Sequence, residues 1–314
     1  MRPFIPAGIA AGILSALLAL LPIAGGSVLA LPLAFVAPLP IAVVGFAYGS
    51  ASAAIGALAL GAAIAAAGDL GSGTVAFLTV GVPIAVIVHY FGLSRPSGPG
   101  GTTQWFPLGP ILLRVAAVVA VGTVIAGLIA GFDADAVATA LRSDLTLLLQ
   151  ESGTATDELA VSTFVDGLVA ALPVAVAASS VVIAVANAFI GASVAAGLGY
   201  TVRPRPAAWT VGLPRAASIA FIIAALATFI PGAIGDAAKA VAGAFGAALV
   251  LVGLGIIHAF TRRIGARPLV LFLVYASMPL FVWIPALFYA ALAILDTVTP
   301  LRPQTDAAGP TTRT

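Results

Sequence analysis

The sequence predicts an all-α, polytopic integral membrane bundle of about 8–9 transmembrane helices. Three observations lead there. Hydrophobic residues make up 61% of 314 residues and charged residues only 8%, and the mean hydropathy is +1.19, a balance that a soluble globule cannot bury. Apolar runs long enough to cross a bilayer recur along the whole chain. The basic residues gather in alternate connections, as the topology of inner-membrane proteins requires. The chain reads as one membrane domain over 1–314, with a six-helix core in 1–200, further helices in 211–296 and a polar tail in 297–314.

Taking the spans in order, the first runs from about Phe4 to Pro22 and is read as a retained helix rather than a cleaved signal, because further spans follow it directly. Gly8, Gly12 and Ala16 form a four-residue stripe of small side chains, suited either to packing within the chain or to docking a partner helix. The second span, about Val28 to Val44, carries Pro32, Pro38 and Pro40. The third, about Phe46 to Ala67, is rich in Gly and Ala. Together they form the stretch that points to a ligand site, because interrupted helices at membrane depth survive only where protein or a water-filled cavity covers the freed backbone.

A fourth span, about Thr74 to Leu93, contains Pro83 and leads into a Pro/Gly-rich loop with Arg95 and Trp105. A fifth runs from about Ile111 to Gly131. The segment from Asp133 to Asp166 is different: it holds Asp135, Asp144, Glu151, Asp157 and Glu158, while Val137, Leu141, Leu145 and Leu148 recur at helical spacing. It is expected to hold one short amphipathic helix at the membrane surface or over the bundle, acting as a connection or a lid. Spans six to nine follow at about Leu168 to Leu198, Ala216 to Ile230, Ala237 to Phe260 and Leu269 to Leu295. Pro279 and Pro285 make the ninth one kinked helix or two half-helices.

Alternation then places Arg2, Arg95, Arg203, Arg205, Arg262, Arg263 and Arg267 on the cytoplasmic side and the acidic residues from Asp69 to Asp236 outside. A ninth span would carry Asp296 and Arg302 outside unless the last stretch turns back. A bacterial cytoplasmic membrane, with the N-terminus inside and 133–166 outside, is the expected location. The pI near 9.3 therefore reflects loop arginines, and nucleic acid is not an expected partner.

Absences narrow the chemistry. The chain has no cysteine, which removes disulfides, thiolate metal sites and cysteine nucleophiles. It contains no HExxH, no GxSxG and no phosphate-binding GxxxxGK[ST], so neither an enzyme nor a bound metal or cofactor is expected. Any active movement would need an ATPase elsewhere. The candidate ligand-binding residues are Pro40, Gly45, Tyr48, Gly49 and Asn187. Tyr48 would stack on a planar ligand in space left by Gly45 and Gly49. Asn187 lies within the sixth span, where its amide must find a partner, either another helix or a ligand. His89 and His258 sit at helix ends, where they cap helix C-termini or handle protons.

The run PLPIAVVGFAYGSASAAIGALALG, the loop RPRPAAWTVGLPRAAS and the ending ALAILDTVTPLR resemble the YybS-like family of bacterial membrane proteins, domain of unknown function 2232, over about residues 5 to 302. That family is similar in turn to the substrate-binding S components of energy-coupling factor transporters. The resemblance implies an S-like core in the first six spans, a transmembrane coupling subunit and ATPases as partners, and a docking role for Gly8, Gly12 and Ala16. The three extra spans and the missing vitamin or metal constellation depart from it. The leading expectation is small-molecule capture from the outer side, beneath 133–166 and against the second and third spans. The other is a non-transporting scaffold that works through helix faces.

Overall fold

The computed structural model describes residues 4–25, 30–96, 103–152, 157–200, 203–204, 207–281, 283–299 and 301–302. Arg2, Arg205, the start of the second expected span at 28–29 and the tail from 303 onward lie outside the described residues.

Among the described residues, seven stretches are helical, long and apolar enough to cross a membrane: Phe4–Pro22, Leu31–Tyr48, Ser50–Ala67, Leu70–Phe91, Leu108–Ala130, Glu158–Gly197 and Ala233–Thr261. Three shorter apolar helices accompany them. The elements are α1 (Phe4–Gly25), α2 (Leu31–Val36), α3 (Leu39–Tyr48), α4 (Ser50–Ala67), α5 (Leu70–Ala76), a π-helical turn at Phe77–Gly81, α6 (Val82–Phe91), α7 (Leu108–Ala130), α8 (Ala134–Glu151), α9 (Glu158–Gly197), α10 (Arg215–Ala227), α11 (Ala233–Thr261), α12 (Arg267–Phe281) and α13 (Trp283–Val298). The all-α polytopic class holds.

Prolines and glycines set the joints. Pro32 and Pro40 occupy first turns of α2 and α3, where a missing N–H leaves no internal bond unmade, and the two helices meet at Ala37 and Pro38. The next break is not at Gly45 but at Gly49, whose φ of 103° suits a residue without Cβ. Ser52 Oγ closes that turn by donating to the carbonyls of Val44 and Gly49, at 3.1 and 3.0 Å. Asp69 caps α5, accepting from the Ser72 amide and hydroxyl at 3.0 and 2.6 Å.

Packing follows the small residues, because a Leu gains little by leaving lipid for protein and close backbone approach supplies the attraction instead. A Cβ on Gly12 would lie 2.3 Å from the Gly56 carbonyl oxygen, and one on Gly8 2.7 Å from that of Ser52. The Gly8, Gly12 and Ala16 stripe therefore faces α4 of the same chain and is buried. The lipid-facing side of α1 is instead Ile5, Ile9, Ile13 and Leu17. Packing within the chain, not partner docking, accounts for these three residues.

Two expected spans change form. The sixth is not a helix from Leu168 but the 40-residue α9, about 60 Å long at 1.5 Å per residue and far beyond a bilayer core. Its first four turns leave the bundle and pair with α8, burying Ala138, Val165 and Val169 between them, with Val137, Leu141 and Leu145 packed around. Arg142 forms an ion pair with Asp166 across this pair. The helical periodicity expected in 133–166 is present, but α9 is the only helix against which α8 packs substantially among the described residues. It is an arm beside the bundle, not a lid over α2 and α3.

The ninth span is two helices. The Asp296 carboxylate pairs with Arg302, whose Nη1 donates to the carbonyls of Trp209 and Val211 at 2.7 and 2.9 Å. Arg215 Nε donates to the Thr297 carbonyl at 3.1 Å, and Arg262 lies 4.5 Å above the Trp209 ring. The end of α13 thus returns to the same end of the bundle as the start of α10 and the end of α11. Asp296 sits among the arginines. Of the two forms left open for the ninth span, the structure takes the one in which the last stretch turns back: α12 and α13 form a hairpin.

The cysteine-free sequence allows this to be checked. Single Thr103→Cys and Thr299→Cys variants are expected to react with a membrane-impermeant maleimide from one and the same side of sealed vesicles, and Asp144→Cys from the other. Labelling of Thr299→Cys together with Asp144→Cys would contradict the hairpin.

A candidate ligand chamber at the basic end of the bundle

Between the connections that carry the arginines, the loop after α6 folds into a small antiparallel hairpin, Ser94–Pro96 against Thr103–Trp105, with Arg95 paired to Gln104. The sequence showed only a polar loop there. Arg203 enters over this hairpin. Its Nη1 donates to the carbonyls of Phe91 and Phe106 at 3.3 and 3.0 Å, and its guanidinium lies 4.6 Å from the Phe91 ring and 5.8 Å from the Trp105 ring. Phe91 packs edge-on against Phe46 of α3, 5.2 Å between centroids. Arg114 similarly covers Tyr90 and Phe106, at 4.6 and 5.1 Å. The basic end is thus a floor of aromatic rings held by arginines that bond to carbonyl oxygens.

Above that floor lies a chamber of about 930 Å³, walled by α3, α6, α7, α9 and α11. This is near the top of the range of about 300–1,000 Å³ typical of small-molecule sites. Leu108, Ile111, Leu112 and Val115 of α7 form one wall, Val185, Ala188, Ala192 and Ala196 of α9 another, and Leu251 and Val252 of α11 a third. Among its described lining residues only Ser193 and Arg203 carry polar side-chain atoms, and none is acidic. Partial burial draws Arg203 below the usual arginine pKa, yet a guanidinium remains protonated at neutral pH.

The residues selected from the sequence lie around the chamber rather than in it. Gly45 is buried, and a Cβ there would meet Ala53 and Val88 at 2.9 Å, so it serves helix contact and leaves no space for a ligand. Tyr48 stacks on Tyr200, 5.5 Å between centroids, and Gly49 is the turn. Pro40 is a first-turn proline. None of Pro40, Gly45, Tyr48, Gly49 and Asn187 lines the chamber; of the stretch Leu31–Tyr48, only Phe46 does. The lining was not legible because its side chains are the same apolar types that fill the rest of the core.

Asn187 is a helix tie. Its Nδ2 donates to the Phe35 carbonyl of α2 and to Ile183 of its own helix, both at 2.8 Å, while Oδ1 is buried without a hydrogen-bond partner among the described residues. The bond to Phe35 falls where Pro38 and Pro40 interrupt the helical ladder, and it binds that break to α9. Beside it, Ala34, Pro38, Thr79, Val80, Ser180, Ile183 and Ala184 enclose a second space of about 80 Å³. The π-helical turn faces the proline break across it. His258 is bonded through Nε2 to the Tyr275 hydroxyl at 2.8 Å; His89 lies edge-on to Tyr90, and the two histidines make no pair. Among the described residues no group of three or more His, Cys, Asp or Glu is arranged to hold a metal ion.

The fold and the chamber define a polytopic all-α membrane protein with a partly open apolar cavity among its helices. The chain belongs to the family described as predicted membrane protein (DUF2232), whose model matches residues 13–297. No curated protein and no solved structure matches it.

Asn187→Leu keeps the volume of the side chain and removes the amide. It is expected to lower stability in detergent by about 1 kcal/mol, the usual worth of such an interhelical bond, as a reduced midpoint of thermal unfolding. An unchanged midpoint would show that α2 needs no tie to α9.

Proposed function

We propose that this protein is a substrate-capture subunit of the bacterial cytoplasmic membrane, which holds an apolar small molecule in the chamber between α7, α9 and α11. One observation carries the reading: a space of about 930 Å³ in a bundle where glycines bring several helix pairs to backbone contact. Membrane helices that can pack tightly do so, and a gap with one half-buried cation at its end has the make-up of a binding site. The arginine-rich end is cytoplasmic by the loop-charge rule, which puts the N-terminus and the end of α13 inside and the arm of α8 and α9 outside. The site then belongs to the inner half of the membrane, not to the outer surface beneath 133–166. Capture by this chain involves no catalytic step, and the sequence has no nucleotide-binding loop, so release or movement falls to a transmembrane coupling subunit and ATPases, as the resemblance to S components implies.

A scaffold role is the second reading. It is favoured by the arm, where Leu147, Leu148, Leu159 and Phe164 are exposed at 55% to 75%, a surface suited to a protein partner.

Native mass spectrometry of protein extracted gently from its own membrane separates the two. The expected result is one retained non-protein mass per chain, lost in Ala192→Trp, which fills the chamber, and kept in Leu148→Ser, which alters only the arm. A retained protein partner that Leu148→Ser releases, with no small mass in any preparation, would overturn capture in favour of the scaffold.

A further inference from the structure

The chamber is asymmetric along the membrane normal, and its asymmetry selects a ligand class; this rests on the chamber being a ligand site. At its basic end stands Arg203, the only charged side chain among the described lining residues. Nη1 is fixed by the two carbonyls of Phe91 and Phe106, so the guanidinium is held in one orientation. Its Nε and Nη2 have no hydrogen-bond partner among the described residues, and no carboxylate joins the lining. A positioned cation with two donor nitrogens unpartnered among the described residues, in an apolar vestibule, favours an oxyanion, which it can grip bidentately.

Away from Arg203 the described lining is aliphatic and aromatic apart from Ser193, whose hydroxyl donates to the Phe189 carbonyl of its own helix. From Gly197 to Val185 the α9 wall rises about 18 Å at 1.5 Å per residue, close to half of a hydrocarbon core of about 30 Å. Cation at the surface, apolar wall to the midplane: the chamber has the depth and the polarity order of one leaflet. Phe189 lines it while remaining 60% exposed, so the wall on the α9 side is not sealed.

We infer that the ligand is a long-chain amphiphile with a single anionic oxyacid head, seated with the head on Arg203 and the chain between α7, α9 and α11, and drawn laterally from the adjacent leaflet. The head chemistry is shared by free single-chain acids, by alkyl phosphates and by the anionic phospholipids of the bilayer itself.

The full chain, delipidated in a non-ionic detergent, would be titrated with hexadecanoate, hexadecyl phosphate, hexadecanol and phosphatidylglycerol, and binding read by native mass spectrometry. The expected result is one acid or phosphate per chain, held about tenfold or more tightly than the alcohol, as a charge-assisted contact would give. In Arg203→Gln that preference should vanish while hexadecanol binds as before, which also shows the chamber intact. Phosphatidylglycerol binding as tightly as hexadecanoate would name the bilayer lipid as the source; its exclusion would name a free single-chain acid. Equal binding of hexadecanol and the acids overturns the anionic head but leaves capture standing. Failure of all four to bind overturns capture as well, and an equal loss of every ligand in Arg203→Gln makes Arg203 a structural clamp and refutes its role in reading the head.

Discussion

Close backbone approach is the constraint on which this bundle depends. In hydrocarbon an apolar side chain gains little by moving from lipid to protein, so helices hold together where glycine and alanine let main chains touch. The contacts of Gly12 with Gly56, Gly73 with Gly61, Gly243 with Val174 and Gly253 with Tyr289 would each put an added Cβ within 2.1–2.4 Å of a carbonyl oxygen. Each fixes one helix against another, α1 on α4, α5 on α4, α11 on α9 and α11 on α13. Helices α4 and α11 each enter this set twice, and α9, reached through α11, adds ties of its own. It touches α3 where Gly191 meets Ala42 and ties α2 through Asn187.

The chamber is the place where that rule lapses. Near the acidic end α9 and α11 approach through Gly243 and Val174. Further along, Leu251 and Val252 of α11 and Val185 to Gly197 of α9 line a space instead of meeting. What bounds it at the basic end is not helix packing but arginine chemistry: Arg203 and Arg302 both end on backbone carbonyls of connecting segments or, at Phe91, of a helix end. Because such segments lack a helical ladder, a guanidinium with several donors can satisfy carbonyls that water or a helix would otherwise serve. The rigid parts and the open part of the molecule thus arise from two different interactions, one between glycines and one between arginines and main chain.

Much of the fold could be read from residues. Hydropathy marked the spans, Val137, Leu141 and Leu145 marked α8, and the prolines at 32, 38 and 40 marked the break that Asn187 covers. Among the described residues, Arg95, Arg203, Arg262 and Arg302 do gather at one end. The length of α9 was hidden because Glu158 and Asp166 make its start read as a connection, and only the pairing of Val165 and Val169 with α8 explains why the helix continues there. The π-helical turn at Phe77–Gly81 inserts a residue with no local signature, and the hairpin of α12 and α13 depends on the long-range pairing of Asp296, Arg302 and Trp209. Gly45 and Tyr48 misled for one reason: a glycine in a membrane helix more often admits a neighbouring helix than a ligand, and here Val88 and Ala53 fill the place. The chamber itself was invisible in the sequence. A cavity is a matter of distances between apolar side chains, not of their kinds.

The most direct test of this account is an electron cryomicroscopy map of the chain in nanodiscs made with lipid from its own membrane. The account predicts elongated, protein-independent density between α7, α9 and α11, thickest beside Arg203 and thinning toward the level of Val185. A map in which α9 closes onto α11 along its whole length, with no space above Arg203, would contradict it.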